Sequence, residues 1–156
     1  MKFISHRGNT KGINKSKENS KQYVQEAISK GFDVEVDLWG QNDNLFLGHE
    51  NAKFKVDFDW LIQRKENLWI HCKNFNSMYL LLNSDLRFFF HEKEDYNLVS
   101  DKHIWAHNFS EINNSCIIPL LTKDEALNWK FQNVYGVCSD FVEILRDRFN
   151  KENFKY

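Results

Sequence analysis

Glu35 and Asp37 stand two residues apart in the segment Gly31-Phe32-Asp33-Val34-Glu35-Val36-Asp37-Leu38-Trp39. Phe32, Val34, Val36 and Leu38 alternate with Asp33, Glu35 and Asp37, which predicts a short buried strand. Side chains two apart on a strand share a face, about 6.5 to 7 Å apart along it. Two carboxylates so placed repel, and burying them is costly without a proton or a cation. A hard divalent cation such as Mg2+ or Ca2+ suits their oxygens. The plain alternative is a half-exposed strand with a polar outer face.

The flanking residues favour the metal. His6-Arg7-Gly8 precedes the carboxylate strand and His49-Glu50 follows it. His71-Cys72-Lys73 and His91 lie further on, each just past an apolar segment. A carboxylate-held metal offsets phosphate charge and polarises the phosphoryl group. Arg7 is suited to grip phosphate oxygens bidentately, and Lys73 to act as a point charge. Two of the histidines are suited to divide the proton work, one as base and one as acid, because an unperturbed imidazole titrates near neutral pH.

These residues need strand ends to carry them. Strands are expected at Phe3–Ser5, Phe32–Leu38, Leu45–Gly48, Leu68–Ile70, Leu86–Phe90, Ile104–Ala106, Cys116–Ile118 and Val134–Cys138. Helices are expected over 19–30, 57–63, 75–83 and 123–129, with a final helix after Asp140. Asn19 or Ser20 is placed to cap the first helix and Gly31 to end it. Asp140 with Glu143 reads as a capping box for the last. Residues 9–18 and 92–101 read as polar loops. Strands alternating with helices imply a largely parallel α/β sheet, whose strand ends share one face. About eight short strands in one domain spanning 1–156 suggest a compact barrel with helices lost at 38–45 and 91–118. A doubly wound open sheet is the alternative, although no glycine-rich phosphate loop follows the first strand.

Composition narrows the function. Of the 156 residues, 21 are basic and 22 acidic, a net charge of -1 that gives no case for general nucleic-acid binding. No apolar run reaches the length of about 20 residues that a membrane-spanning helix needs. The N-terminus lacks the core of a signal peptide. Cys72, Cys116 and Cys138 form no CxxC pair, and reduced thiols in the cytoplasm are expected. The five tryptophans read as packing residues, and His103 and His107 carry no assignment.

The ordered set His6-Arg7-Gly8, Glu18-Asn19-Ser20, Glu35-x-Asp37 and His49-Glu50 resembles the glycerophosphodiester phosphodiesterase family. The family has an HRG start, an ENT segment, a Glu-x-Asp strand and an HD pair in this order. The match covers residues 3 to 50 and is looser beyond, where His71-Cys72-Lys73-Asn74 and Val137-Cys138-Ser139-Asp140 look like a compact branch of the same superfamily. The resemblance implies a TIM-type (β/α) barrel, here with several helices shortened or missing, and metal-assisted cleavage of a small phosphodiester. It implies that Glu35 and Asp37 ligate the metal, that His6 and His49 form the acid/base pair, and that Arg7 holds the phosphate. Lys73 and His91 would line the substrate site.

Three positions depart from the family pattern. The HD pair is His49-Glu50. The family's third metal ligand, a Glu two residues before a Lys, is His71 before Lys73. Imidazole favours Zn2+, Mn2+ or iron over Mg2+ or Ca2+, and Glu92 is the alternative oxygen donor. The chain is also about 100 residues shorter than a usual barrel. A metal-free lyase of the same fold and a non-catalytic binder of phosphorylated ligands are the competing readings.

Overall fold

The structure is a computed structural model describing residues 1–153. The expected TIM-type barrel does not form. Ten strands make one mixed sheet that curls into a half-barrel. They are β1 (Lys2–His6), β2 (Asp33–Gln41), β3 (Asn44–Leu47), β4 (Phe54–Val56), β5 (Leu68–Cys72), β6 (Phe88–Phe90), β7 (Tyr96–Leu98), β8 (Ile104–Ala106), β9 (Cys116–Pro119) and β10 (Gly136–Ser139). Five helices accompany them: α1 (Lys21–Ser29), α2 (Phe58–Ile62), α3 (Phe75–Leu81), α4 (Lys123–Asn128) and α5 (Val142–Asn153).

Seven strands run parallel in the order β6-β5-β2-β1-β10-β9-β8. The other three pair antiparallel: β3 on β2, β4 on β3, and β7 on β8. Among the described residues no ladder joins β6 to β8, so the curl stays open. The physical reason is chain length. A hairpin rather than a helix follows β2, and the stretch between β6 and β8 holds only β7, so the outer helical ring that a closed barrel needs is missing. Strand β4, and β7 within the stretch read as an irregular loop, are the elements not expected from sequence.

Strand β2 is the spine. Its residues 33–38 pair with β1 and β5, while residues 38–41 carry β3. Both of its faces are buried, the carboxylate face included. Val34, Val36 and Leu38 pack outward with Val24, Leu68, Ile70 and Leu81. A second outer cluster centres on Ile118, Val137 and Leu145. The inner face is filled by Ile4, Trp69, Phe89, Trp105, Ile117 and Cys138. Because side chains alternate along a strand, the inward residues two positions on are His6, His71, His91, His107, Pro119 and Asp140. The packed inner layer is thus the floor on which the polar residues stand.

Local signals account for most helix ends. The Ser20 hydroxyl accepts from the Tyr23 amide to start α1, and Gly31, at φ 82°, follows its C-terminus. Asn74 and Ser77 form a reciprocal capping box on α3, as Thr122 and Glu125 do on α4. The capping box expected from Asp140 and Glu143 is absent. The Ser139 hydroxyl accepts from the Phe141 amide instead, and Glu143 pairs with Lys30 and Lys11. Among the described residues no helix is long and apolar enough to cross a membrane. All three cysteines are free and buried.

Candidate active site

Strand register assembles the site. His6 on β1 pairs with Glu35 on β2, and Asp37 on β2 pairs with His71 on β5. Neighbouring strands lie about 4.8 Å apart, so four functional side chains sit in one compact patch at the C-terminal end of the parallel strands. One ligating atom from each of Glu35, Asp37 and His71 lies within 4.8 Å of the others.

The turn after β1 is fixed by its backbone. Arg7 adopts φ 55° and Gly8 φ 91°. The Arg7 amide donates to the Glu35 carbonyl at 2.9 Å, and the Arg7 carbonyl accepts from the Asn19 amide at 3.0 Å. A Cβ on Gly8 would lie 2.8 Å from the Tyr23 ring, which explains the glycine of the His-Arg-Gly motif. So clamped, Arg7 places Nε 2.9 Å from Asp37 Oδ2 and a terminal nitrogen 3.6 Å from Glu18. The Asn19 side chain donates to Asp37 Oδ2 and accepts from the Asp37 amide, both at 2.9 Å.

Asp37 is therefore surrounded by cations and donors. Besides Arg7 and Asn19, it has His71 Nδ1 at 3.1 Å, His49 Nδ1 at 3.4 Å and Lys73 Nζ at 3.7 Å. Burial pushes its carboxyl up, but the His49 and His71 rings and the Arg7 charge outweigh that and hold it well below the usual range. Glu35 is the opposite. Burial, and then the Asp37 charge, push its carboxyl up. It is 3% exposed, and its Oε2 has no hydrogen-bond partner. Asp33, on the same face of β2, shows what a satisfied buried carboxylate looks like. It takes Lys2 Nζ at 3.2 Å and the Trp69 indole N–H at 3.1 Å. The unpartnered Glu35 oxygen beside two further ligating groups fits a divalent cation.

His6 Nδ1 lies 2.8 Å from Asp140 Oδ1, and its Nε2 faces Glu35 Oε2 at 3.8 Å. Burial lowers the His6 pKa, but the Asp140 hydrogen bond and the Glu35 charge more than reverse this, leaving it raised. Asn9, fully buried, donates to both Asp140 and Glu18 and ties the two sides of the loop together.

Every residue singled out by sequence lies here. His6, Arg7, His49, His71, Lys73 and His91 line one cleft of about 380 Å³, with Glu35 beneath and Asp37 fully buried behind it. Arg7 and His49 also border a second cleft, of about 500 Å³, next to Lys15, Glu50 and Lys53. Glu92 borders the first cleft but is exposed and outside the three-residue cluster.

Three residues escaped the sequence reading. Asp140 was expected to cap a helix but holds His6. Asn9 belonged to a segment read as a polar loop. His107 had no assignment, yet lines the cleft stacked on His91, with ring centroids 3.9 Å apart. A signal exists for His107: an apolar residue followed two positions later by His occurs at Ile4/His6, Leu47/His49, Trp69/His71, Phe89/His91 and Trp105/His107, four of the five on parallel strands.

Compared with protein-family models, curated proteins and solved structures, the chain matches none.

Proposed function

We propose that this chain is a metal-dependent phosphodiesterase, similar in its site motifs to the glycerophosphodiester phosphodiesterases, acting on a small phosphodiester in the cytoplasm. The observation that carries the reading is the buried Glu35 carboxylate, with one oxygen unpartnered, clustered with Asp37 and His71 and lined by a buttressed His6 together with Arg7, His49 and Lys73. A divalent cation held by Glu35, Asp37 and His71 would offset phosphate charge and act as a Lewis acid. Arg7 and Lys73 border the cleft as cations and supply further positive charge to the phosphate. His6 lies beside Glu35 and His49 beside Asp37. One takes the proton from the attacking hydroxyl as the new phosphorus–oxygen bond forms. The other gives a proton to the departing oxygen as the old bond breaks. The attacker is water or a hydroxyl of the substrate itself.

One observation favours a metal-free variant of the same reaction. Arg7, Asn19 and His49 already meet Asp37 Oδ2, so the cations alone can carry that carboxylate. Chelation separates the two. The metal-dependent reading expects hydrolysis of phosphodiesters to stop in excess chelator and return with added divalent metal, whereas unchanged turnover in chelator supports the metal-free lyase.

A further inference from the structure

His71 is held at both ring nitrogens. Its Nε2 lies 3.2 Å from the main-chain carbonyl oxygen of His91, and its Nδ1 lies 3.1 Å from Asp37 Oδ1 and 3.9 Å from Glu35 Oε1. A carbonyl oxygen only accepts, so Nε2 must carry the hydrogen and donate it. In the neutral ring, Nδ1 then presents a lone pair to two carboxylate oxygens, which also only accept. That arrangement is satisfied by a second proton on His71, by a proton on the Glu35 carboxyl, whose Oε1 is too far at 3.9 Å for a hydrogen bond to Nδ1 as placed, or by a cation taking the Nδ1 lone pair together with the carboxylates. The ring is further pinned by stacking on Phe89, with centroids 5.1 Å apart and planes 6° from parallel. A ring oriented through its distal N–H to a backbone carbonyl is the usual outer support of a metal-binding histidine.

From this geometry, and resting on the metal-dependent reading above, we propose that the site selects a first-row transition-metal ion of the Mn2+ or Zn2+ class, bound through His71 Nδ1, over Mg2+ or Ca2+. The chemistry of the donor set carries the choice. Mg2+ and Ca2+ are hard ions that take oxygen ligands, whereas imidazole nitrogen suits zinc and iron best; Mn2+, which also takes carboxylate and water, stands at the weak end of the transition series but still binds nitrogen better than Mg2+ does. The carboxylates do not discriminate strongly; the nitrogen does. The Glu35 carboxylate, 3% exposed, turns Oε1 toward His71 Nδ1 at 3.9 Å, while its Oε2 faces His6 Nε2 at 3.8 Å without a hydrogen-bond partner, so the buried group as a whole is short of positive charge. Glu92 does not replace His71, because it is exposed and stands outside the cluster.

The test uses the full chain, stripped of metal and reloaded. Mn2+ and Mg2+ are similar in coordination preference, so their affinity ratio isolates the nitrogen. Calorimetry should show that His71→Glu lowers the Mn2+ to Mg2+ affinity ratio by about tenfold or more, at least what the loss of a ligand's outer hydrogen-bond partner brings. Pulsed electron paramagnetic resonance of the Mn2+-loaded protein should show coupling to one imidazole nitrogen, and His71→Glu should remove it. An unchanged ratio, or Mn2+ bound without nitrogen coupling, overturns the proposal. So does a stripped protein that binds neither ion, which points to the doubly protonated ring. If His71→Glu does not fold, the coupling in the unaltered chain, compared with His6→Ala and His49→Ala, decides which imidazole is bound. Neither readout uses turnover. Nitrogen-bound Mn2+ without diester cleavage keeps this inference and removes the diesterase reading; cleavage with an all-oxygen Mg2+ site does the reverse.

Discussion

Asp140 Oδ1 accepts the Nδ1–H of His6 at 2.8 Å and leaves Nε2 facing the buried carboxylates. The contact spans 134 positions of sequence, joining the end of the first strand to the turn after the last. It fixes which nitrogen of His6 meets a substrate, and it makes Asp140 a positioning residue.

Asp140→Asn tests that role. Turnover should fall by about 10² to 10⁴-fold, the range for losing an acid–base group or its tautomer control, while KM changes little. The limb of the pH–rate profile set by His6 should move to lower pH, because the carboxylate is a main support of the raised His6 pKa. A merely structural Asp140 would lower activity with an unmoved profile.

His6→Ala and His49→Ala should each abolish turnover. The His49 side chain is about one-third exposed, but it is a partner of the buried Asp37 carboxylate, so its loss should also cost stability of about 1 kcal/mol or more. Full activity in either variant, measured on protein shown to be folded by a cooperative melt, removes that histidine from the acid/base pair.

Glu35→Gln separates function from stability. In chelator, the native chain buries an unpartnered carboxylate beside Asp37, which costs about 1 kcal/mol or more. The glutamine variant should therefore melt a few degrees higher than the native chain in chelator, at about 2–4 °C per kcal/mol for a chain of this size. With saturating metal the order should reverse, because only the native chain gains binding energy. A melting point that drops in chelator contradicts the assignment of Glu35 as a strained metal ligand.

Gly40→Ala probes the support of the site from behind. An added Cβ would meet the Ser77 amide nitrogen at 2.6 Å and the Asn76 carbonyl carbon at 2.8 Å, both backbone atoms of α3. Asn74 also bridges the Gly40 amide and carbonyl. Destabilisation of about 1–3 kcal/mol is expected from overpacking, read as a lower denaturant midpoint. A neutral effect would mean that α3 is free to shift away from β2.

Much of the site was legible because strand chemistry has period two. Glu35 and Asp37 could be placed on one face from spacing alone, and the resemblance ordered His6, Arg7 and His49 around them. The closed barrel was not legible because local alternation of strands and helices says nothing of closure, which depends on whether β6 finds β8. The β3–β4 hairpin and the antiparallel β7 took the places of helices. Asp140 was misread because an acidic residue before an apolar helix has the signature of a cap; only the long-range pairing of β1 with β10 brings it to His6. One histidine by itself carries no signal, so His107 becomes legible only when the same apolar-x-His step is seen on five strands.

The most direct test is hydrolysis of a phosphodiester panel, including a chromogenic diester, by purified protein with Mn2+, Mg2+, Zn2+, Ca2+ or chelator, using His6→Ala as control. Turnover is expected to require divalent metal and to disappear in the variant. Turnover that persists in chelator, survives in His6→Ala, or fails with every metal and diester would contradict that expectation.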